Sequence, residues 1–173
     1  DSWEVALPLL PGRHTYTLDA LDFSENLVGS DSITIDNTSV IPPASDQNLA
    51  ITEIHYRPGS PTAEEEGLGF DARSRFEFVE LMNISSGMID LTNVRFADGI
   101  SFNFTESLTG VVLAAGERIA IVNDFAAFSH RSPAVPAAAI AGEFTGNLSD
   151  DGEALLLVAT DETTIRSFTY RDL

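Results

Sequence analysis

Cysteine is absent from this chain of 173 residues. Its absence excludes a disulfide framework, zinc sites built on thiolates, and a cysteine nucleophile. Lysine is absent too, since all nine basic residues are arginine, and this excludes Schiff-base chemistry and phosphate-binding loops that need a lysine. No apolar run approaches the ~20 residues needed to span a bilayer, so we expect no membrane insertion. The chain begins at Asp1 without methionine or a visible signal peptide, which indicates a processed product or a piece of a larger protein.

Positive charge is scarce. The 27 acidic residues against nine basic ones give a formal net charge of −18 at pH 7. Nucleic acids and anionic lipids are bound chiefly through lysine and arginine, so we expect neither as a partner. The acidic surface favours solubility and attracts cations, which is typical of a secreted, cell-surface or salt-exposed protein. Hydrophobic residues make up 43% of the chain, as in folded globular proteins.

Residues 1–37 alternate between polar and apolar side chains as β-strands do. They predict three strands separated by turns. Trp3, Val5 and Leu7 share one face of the first strand, Tyr16, Leu18 and Ala20 share one face of the second, and Ile33 and Ile35 of the third point inward. The segment resembles the closing strands of bacterial immunoglobulin-like or fibronectin-like sandwich repeats, although the turn at 24–26 lacks their glycine. Three strands cannot close a two-sheet core, which needs about seven. Residues 38–48 contain two prolines and several polar residues and predict an extended linker.

Residues 49–173 contain about eight short apolar segments separated by turn signals, which predict a β-sandwich. A long polar loop is expected at 57–74, and loops of this length often carry function. The strand at 75–83 changes its period between Phe78 and Val79, which indicates a β-bulge or burial on both faces. Residues 124–131 predict the one helix, capped by Asn123 or Asp124. The predicted core consists of Phe78, Leu81, Leu91, Phe96, Phe102, Phe144, Leu155, Leu157 and Tyr170.

Six segments of this second region follow a known motif order. They are the I-T-E-I-H-Y-R-P run at 51–58, E-F-V-E-L-M-N at 77–83, residues 90–99, residues 113–117, G-N-L-S-D-D-G-E-A-L-L-L at 146–157, and residues 167–172. In these segments the region resembles the lamin-tail domain family, and in particular its bacterial branch, which occurs in large secreted or surface proteins. The resemblance implies an all-β fold, an immunoglobulin-like β-sandwich, preceded here by a partial immunoglobulin-like β fragment at 1–37.

Two groups of acidic residues are candidates for a calcium site, because Ca²⁺ prefers oxygen ligands. The first lies in the turn around Asp22, Glu25 and Asp31. The second lies in the long loop and consists of Glu64, Glu65, Glu66 and Asp71. Neither has EF-hand spacing, and the alternative is that both are solvated turns or loops. Calcium is the one cofactor the sequence suggests.

Other polar residues are weaker candidates. Glu53, Glu77 and Glu80 could approach one another across the sheet for acid–base work; alternatively they face solvent or pair with Arg75 and Arg95. The run at 150–153 is typical of a turn, and His130 at a helix end favours the negative pole of the helix. His14 and His55 lie far apart in sequence, with no metal-binding spacing. Four N-x-[ST] sequons are treated as chance occurrences: Asn37, Asn83, Asn103 and Asn147.

No nucleophile stands beside a base in any known motif, so we predict that the chain is not an enzyme. The family resemblance implies a non-catalytic extracellular module, a spacer or adhesion unit of a larger protein. Its partners would be proteins, a cell surface or an extracellular matrix. They would be bound through the loop residues Glu64, Glu65, Glu66, Phe70 and Asp71 or through a strand edge. Two alternatives remain: a head-to-tail assembly by strand complementation, and an accessory domain of a secreted enzyme.

Overall fold

A computed structural model of the chain describes residues 12–37, 40–109 and 111–171. They fall into two compact units, the first ending at Ile41 and the second beginning at Pro42. The strands are β1 (Gly12–Leu21), β2 (Leu27–Asn37), β3 (Leu49–His55), β4 (Phe78–Asn83), β5 (Ile89–Asp90), β6 (Arg95–Asp98), β7 (Phe102–Asn103), β8 (Val112–Leu113), β9 (Arg118–Val122), β10 (Ile140–Glu143), β11 (Ala154–Val158) and β12 (Thr164–Thr169). The helices are α1 (Ala63–Gly67) and α2 (Phe125–Arg131), with 3₁₀ turns at Arg73–Phe76, Phe104–Glu106 and Ala137–Ala139. Within the described ranges, no helix combines the length and apolar character that crossing a bilayer requires.

In the first unit, β1 and β2 form an antiparallel hairpin. The predicted strand at 3–7 lies outside the described residues. Tyr16 lies opposite Ile33, so the apolar residues of both strands share one face, as the alternation predicted. The prediction that Ile33 points into a core is wrong, because its side chain is 60% exposed. A two-stranded sheet has no second layer of its own to bury this face.

The second unit is a β-sandwich, as predicted. One sheet has the order β10-β9-β4-β3, the other has the order β12-β11-β6-β7, and β5 pairs with β8 beside them. β10 and β9 run parallel, whereas the other pairs in these sheets are antiparallel. Buried side chains of both sheets form one hydrophobic cluster, so the core lies between the sheets. Burying such faces against each other is what stabilises a sandwich.

Most of the predicted core residues are in that cluster: Leu81, Leu91, Phe96, Phe102, Phe144, Leu155 and Leu157 are buried in it, and Tyr170 packs against it half-buried. Phe78 is the exception. It lies on the outer face of its sheet and packs in a second cluster against Phe128 of α2, with ring centroids 5.3 Å apart. Because neighbours in a strand point to opposite faces, Val79 takes the inner position and is fully buried.

The change of period at Phe78 and Val79 therefore reflects burial on both faces of β4. The inner face packs in the sandwich core and the outer face lies partly under α2. The β-bulge lies instead on the neighbouring β3, where the register shifts between Ile51 and Glu53. Both features position charged residues on the outer face of this sheet.

The region at 57–74, predicted as a loop without regular structure, contains a helix. The N-cap Thr62 accepts a hydrogen bond from the backbone N–H of Glu65, and the Glu65 carboxylate accepts one from the N–H of Thr62. This capping box satisfies two free donors of the first turn. The Thr-Ala-Glu-Glu sequence at 62–65 was the signal for it. The second helix lies where it was predicted, and Asp124 caps it by accepting from the N–H of Ala127 at 3.0 Å.

The predicted linker at 38–48 extends into the second unit. Residues from Pro42 onward belong to the second unit. The carbonyl of Pro42 accepts a hydrogen bond from the N–H of Asp90, and the N–H of Ala44 donates to the carbonyl of Asp90. Ala44 is 3% exposed. Backbone pairing and burial of this small side chain fix the segment to the sandwich, although its composition resembles that of a linker.

Candidate functional site

The long acidic loop is attached to α2 by one ion pair. Nε and Nη2 of Arg131 donate to Oε1 and Oε2 of Glu65 at 2.9 and 2.8 Å. The guanidinium carbon also lies 3.2 Å from the centroid of the Phe76 ring, a cation–π arrangement. The hydrogen bonds from Arg131, together with the backbone N–H of Thr62, lower the pKa of Glu65 to about 2. Glu65 is 5% exposed, so this candidate ligand is occupied in holding the loop.

The other predicted loop residues are placed differently. Glu64 and Glu66 are exposed on α1. Asp71 is exposed and accepts a hydrogen bond from Arg75 at 3.4 Å. Phe70 is half-buried, edge-on to Phe76 at 6.2 Å. The loop therefore presents two carboxylates outward on a helix that is fixed from behind, as a binding surface requires.

In the hairpin, the Asp22 carboxylate closes its own turn. Its Oδ1 accepts the backbone N–H groups of Ser24 and Asn26 at 2.8 and 2.9 Å, and the side chain of Asn26 donates to Oδ2 at 3.0 Å. These hydrogen bonds, led by the Asn26 side chain, lower the pKa of Asp22. Glu25 occupies the left-handed region at φ 62°, and Oδ1 of Asp31 accepts from the N–H of Ser32.

No group of three or more His, Asp or Glu side chains in the described parts of the chain is arranged to hold a metal ion. Calcium binding by either predicted group of carboxylates remains a prediction. His55 stacks on Phe78 with ring centroids 5.0 Å apart, whereas His130, in the last turn of α2, lies 5.9 Å from Phe70. Each contacts an aromatic side chain.

The three glutamates of the family motifs divide into two places. Glu53 and Glu80 lie directly opposite each other on β3 and β4. Their predicted arginine partners are wrong, because Glu80 pairs with Arg118 of β9 instead. Arg75 pairs with Asp124 and Asp71, and Arg95 pairs with Glu162. The pair of Glu80 and Arg118 depends on the strand order, which places β9 beside β4. This order cannot be predicted from how far apart the residues lie in the sequence.

Glu77 is buried, with 3% of its surface exposed. Its Oε2 accepts a hydrogen bond from the backbone N–H of Leu148 at 2.8 Å. Burial raises the pKa of Glu77 to about 7 against the effect of that hydrogen bond, and the nearby charges of Asp150 and Glu153 act in the same direction as burial. The carboxylate thus fastens the 146–150 loop to the end of β4.

The run at 150–153 forms a turn, as predicted. Side chains of Tyr170, Glu153 and Arg73 hold it in place. The hydroxyl of Tyr170 donates to Oε1 of Glu153 at 2.8 Å and to the carbonyl of Ser149 at 3.1 Å. Glu153 also accepts the N–H of Ser149, and Asp150 pairs with Arg73. Burial and the Glu153 carboxylate raise the pKa of the tyrosine hydroxyl. These polar groups satisfy one another.

Asn83 is a residue whose role the sequence did not indicate. It is fully buried, and its amide nitrogen donates to the carbonyls of Gly87, Leu113 and Ala114 at 2.7 to 2.9 Å. Its Oδ1 accepts from Ser85. Its place at the end of the E-F-V-E-L-M-N motif, two residues before a Ser-Ser-Gly turn, was the signal. Of the four sequons, Asn83 has no exposed surface, Asn37 and Asn103 are half-buried, and Asn147 is exposed.

The comparisons with known proteins agree with this architecture. The family model of the Lamin Tail Domain matches residues 42–172. Comparison with curated proteins and with solved structures found no match. The match begins where the second unit begins and includes β3 to β12 and the buried Glu77 and Asn83. This chain therefore belongs to the lamin tail domain family, whose immunoglobulin-like domains are typically non-catalytic modules.

Proposed function

We propose that this chain is a non-catalytic binding and spacing module of a secreted or cell-surface protein. The observation that carries the proposal is that several polar residues of the family motifs form hydrogen bonds that hold loops in place. Glu77 and Asn83 hold loops to the sandwich through buried hydrogen bonds, and Glu153 with Tyr170 holds the turn at 149–153. In the described residues, no buried side-chain polar atom lacks a hydrogen-bond partner. Such side chains stabilise loops and leave no group poised for chemistry.

The charge supports an extracellular location. A net charge of −18 without a single lysine keeps a protein soluble and separate from anionic lipids and nucleic acids. A folded sandwich whose buried polar side chains are hydrogen-bonded among the described residues suits a rigid element in a longer protein. Protein, cell-surface or matrix partners would be recognised by exposed loops and strand edges.

The binding surface we assign to this function is the outer side of α1. Glu64, Glu66 and Leu68 are exposed there, Leu68 to 57%. The ion pair between Glu65 and Arg131 holds this surface in place. A surface that is ordered before binding loses less conformational entropy on contact with a partner.

Binding of the labelled intact chain to whole cells and to matrix proteins tests this proposal. A loop variant carrying Glu64→Gln, Glu66→Gln and Leu68→Ser should lose most of the binding. A matched control carries Asp46→Asn, Glu106→Gln and Leu108→Ser. These are also two exposed carboxylates and an exposed leucine, Leu108 being 72% exposed. Equal binding by both variants would remove α1 from the interface, and turnover of a substrate by the intact chain would contradict the non-catalytic function.

A second candidate function, a subunit of a head-to-tail assembly, is favoured by the hairpin. Leu18 and Ile33 are 49% and 60% exposed on its apolar face, and a neighbouring chain could cover such a face by adding strands. Size-exclusion chromatography with light scattering, first with calcium and then with chelator, tests it. An open-ended, concentration-dependent series of species supports assembly. A monomer at every concentration contradicts it.

A further inference from the structure

A pocket of about 180 Å³ lies on the outer face of the β10-β9-β4-β3 sheet. It is bounded by β3, β4 and β9 on the sheet side and by α2 and the segment that follows it on the other. Its lining residues are Glu53, Phe78, Glu80, Arg118, Ile119, Ala120, Phe128, Ser132, Val135 and Ala139. Carboxylates stand on the strands, and apolar side chains fill the part next to α2.

Two carboxylates of like charge oppose each other at this pocket. Glu53 and Glu80 are direct partners in the antiparallel pair β3–β4, so their side chains project from the same face. Like charges in this position destabilise a sheet unless a cation lies between or beside them. Arg118 pairs with Glu80, and the hydroxyl of Thr52 donates to Oε1 of Glu80 at 2.5 Å.

Glu53 has no such partner among the described residues. It is exposed, and neither an ion pair nor a side-chain hydrogen bond is formed by its carboxylate in that part of the chain. Two carboxylates and one guanidinium leave the pocket with one uncompensated negative charge. The arginines near α2 do not supply the missing cation, since Arg131 is held by Glu65 and Arg75 is held by Asp124. His130 of α2 lies beside Phe70 instead.

Apart from Ser132, the rest of the pocket lining is apolar. The rings of Phe78 and Phe128 meet edge-on at 5.3 Å, and Ala120 and Val135 belong to the same cluster. A ligand that fits both parts needs an apolar stem and a single positive charge at its end. A lysine side chain has this form, because it buries its methylene groups along apolar surface while its ammonium stays at a polar rim.

We propose that this pocket binds a lysine side chain of a partner protein, with the ammonium at Glu53 and the methylene groups against the apolar floor. The 173 residues contain no lysine, so none of them can fill the pocket in this way, and the net charge of −18 attracts a basic partner. The inference rests on the proposed function in one respect, that the domain engages other proteins.

The test is titration of the isotope-labelled intact chain with short peptides, followed by NMR at about 0.15 M salt to screen diffuse attraction. The first probe is acetyl-Gly-Lys-Gly-amide. Three comparators replace its lysine with Nε-acetyl-lysine, which has no charge, with diaminopropionic acid, which has the ammonium on a short stem, and with arginine. The chain is used in its natural form, as Glu53→Gln, and as Glu106→Gln. The last variant is the control, because it removes one charge from an exposed carboxylate that belongs neither to this pocket nor to the α1 surface.

The expected result is a change in the amide signals of β3, β4, β9 and residues 132–139 with the lysine peptide. Glu53→Gln should weaken this binding at least about tenfold, and Glu106→Gln should change it less than about twofold. The acetylated and short-stem peptides should bind more weakly than the lysine peptide.

Equal weakening by Glu53→Gln and Glu106→Gln would show diffuse attraction and overturn the pocket, and tighter binding of the arginine peptide would overturn its assignment to lysine. Absence of binding by every peptide would overturn the pocket as well. It would leave the proposed function standing if the α1 variant still lost its binding to cells or matrix, so the two failures are distinguishable.

Discussion

The carboxylate of Glu65 and the guanidinium of Arg131, which are 66 residues apart in sequence, meet through two parallel hydrogen bonds of 2.9 and 2.8 Å. Bidentate pairs of this kind fix orientation as well as distance. They join the acidic loop to α2, while Nη1 of Arg131 also donates to the carbonyl of Gly59. The order of the loop therefore depends on a residue outside it.

Breaking this pair should loosen the loop and leave the sandwich intact. In Arg131→Lys, a single ammonium takes the place of the planar guanidinium, so the bidentate pair with Glu65 and the contact with the Phe76 ring are lost. Hydrogen exchange of the amides at 57–74 should therefore become faster by about tenfold or more. Glu64→Gln should leave these rates unchanged, because Glu64 is exposed. Unchanged exchange in Arg131→Lys would show that the capping box of α1 holds the loop by itself.

The same pair predicts a response to acid. The pKa of Glu65 falls from its ordinary value of 4.5 to about 2 in the folded protein. The unfolded chain therefore binds the proton first, and the stabilisation by the ion pair is complete above about pH 4.5 and is lost as the pH falls towards 2. Hydrogen exchange of the loop, measured downward from neutral pH, should stay slow until that range. Loop opening at about pH 5 would contradict the pairing.

Glu77 predicts the opposite response. Its pKa rises from 4.5 to about 7 because burial disfavours the charged form, so the folded state holds the proton more tightly than the unfolded state. The contribution of Glu77 to the free energy of unfolding should be complete below about pH 4.5 and should be lost as the pH rises to 7. The loss should be roughly 3 kcal/mol at most. Glu77→Gln keeps an oxygen for the N–H of Leu148 without the charge, so it should raise the free energy of unfolding at about pH 8.

Denaturant unfolding of both proteins across this range is the measurement. The difference in unfolding free energy between Glu77→Gln and the natural chain should increase with pH from about 4.5 to 7. Glu106→Gln, on an exposed carboxylate, is the control and should show no such trend. A difference that does not depend on pH would mean that Glu77 has the same pKa in both states.

Asn83→Ala should destabilise the second unit strongly. The substitution leaves the carbonyls of Leu113 and Ala114 without the donor that the buried amide supplies, at a cost of about 2–4 kcal/mol in unfolding free energy. Asn83→Asp should be at least as costly, because a carboxylate cannot donate. Thermal unfolding monitored by circular dichroism measures both, and Asn147→Ala, on an exposed side chain, should change little.

Gly152→Ala should destabilise the turn at 149–153. Gly152 has a φ of 92°, and an added Cβ would clash with the carbonyl oxygen of Tyr170 and lie 2.8 Å from the Cα of Arg171. Since both atoms belong to the backbone, the chain after β12 would have to move, and we expect a loss of about 2–4 kcal/mol in unfolding free energy. Gly87→Ala is the matched control, because its φ is not positive and an added Cβ would have no atom within 4 Å. Equal unfolding free energies for the two variants would show that the turn can shift freely.

The periodicity of apolar residues was enough to predict the sandwich and most of its core. Leu81 alternates with the half-buried Glu80 and Met82, and Leu155 and Leu157 flank the half-buried Leu156. Residues two apart in a strand bury the same face in any sheet that pairs these strands. The helix cap at Asp124 was predictable for the same reason, since it depends on residues near in sequence. Phe78 was misplaced because its burial depends on α2, a distant part of the chain that covers the outer face of the sheet.

The strands, the turns, the acidic surface and the membership of the lamin tail domain family could all be read from the amino-acid sequence, because they follow from local composition and motif order. The packing of the folded chain was needed to tell which carboxylates hold the fold together and which remain exposed. Glu65 is paired with Arg131 and Glu77 is buried against Leu148, while Glu53 stands opposite Glu80 without a cation of its own among the described residues. The state of a charged group depends on the burial and the charges around it in space, and these neighbours come from elements far apart along the chain.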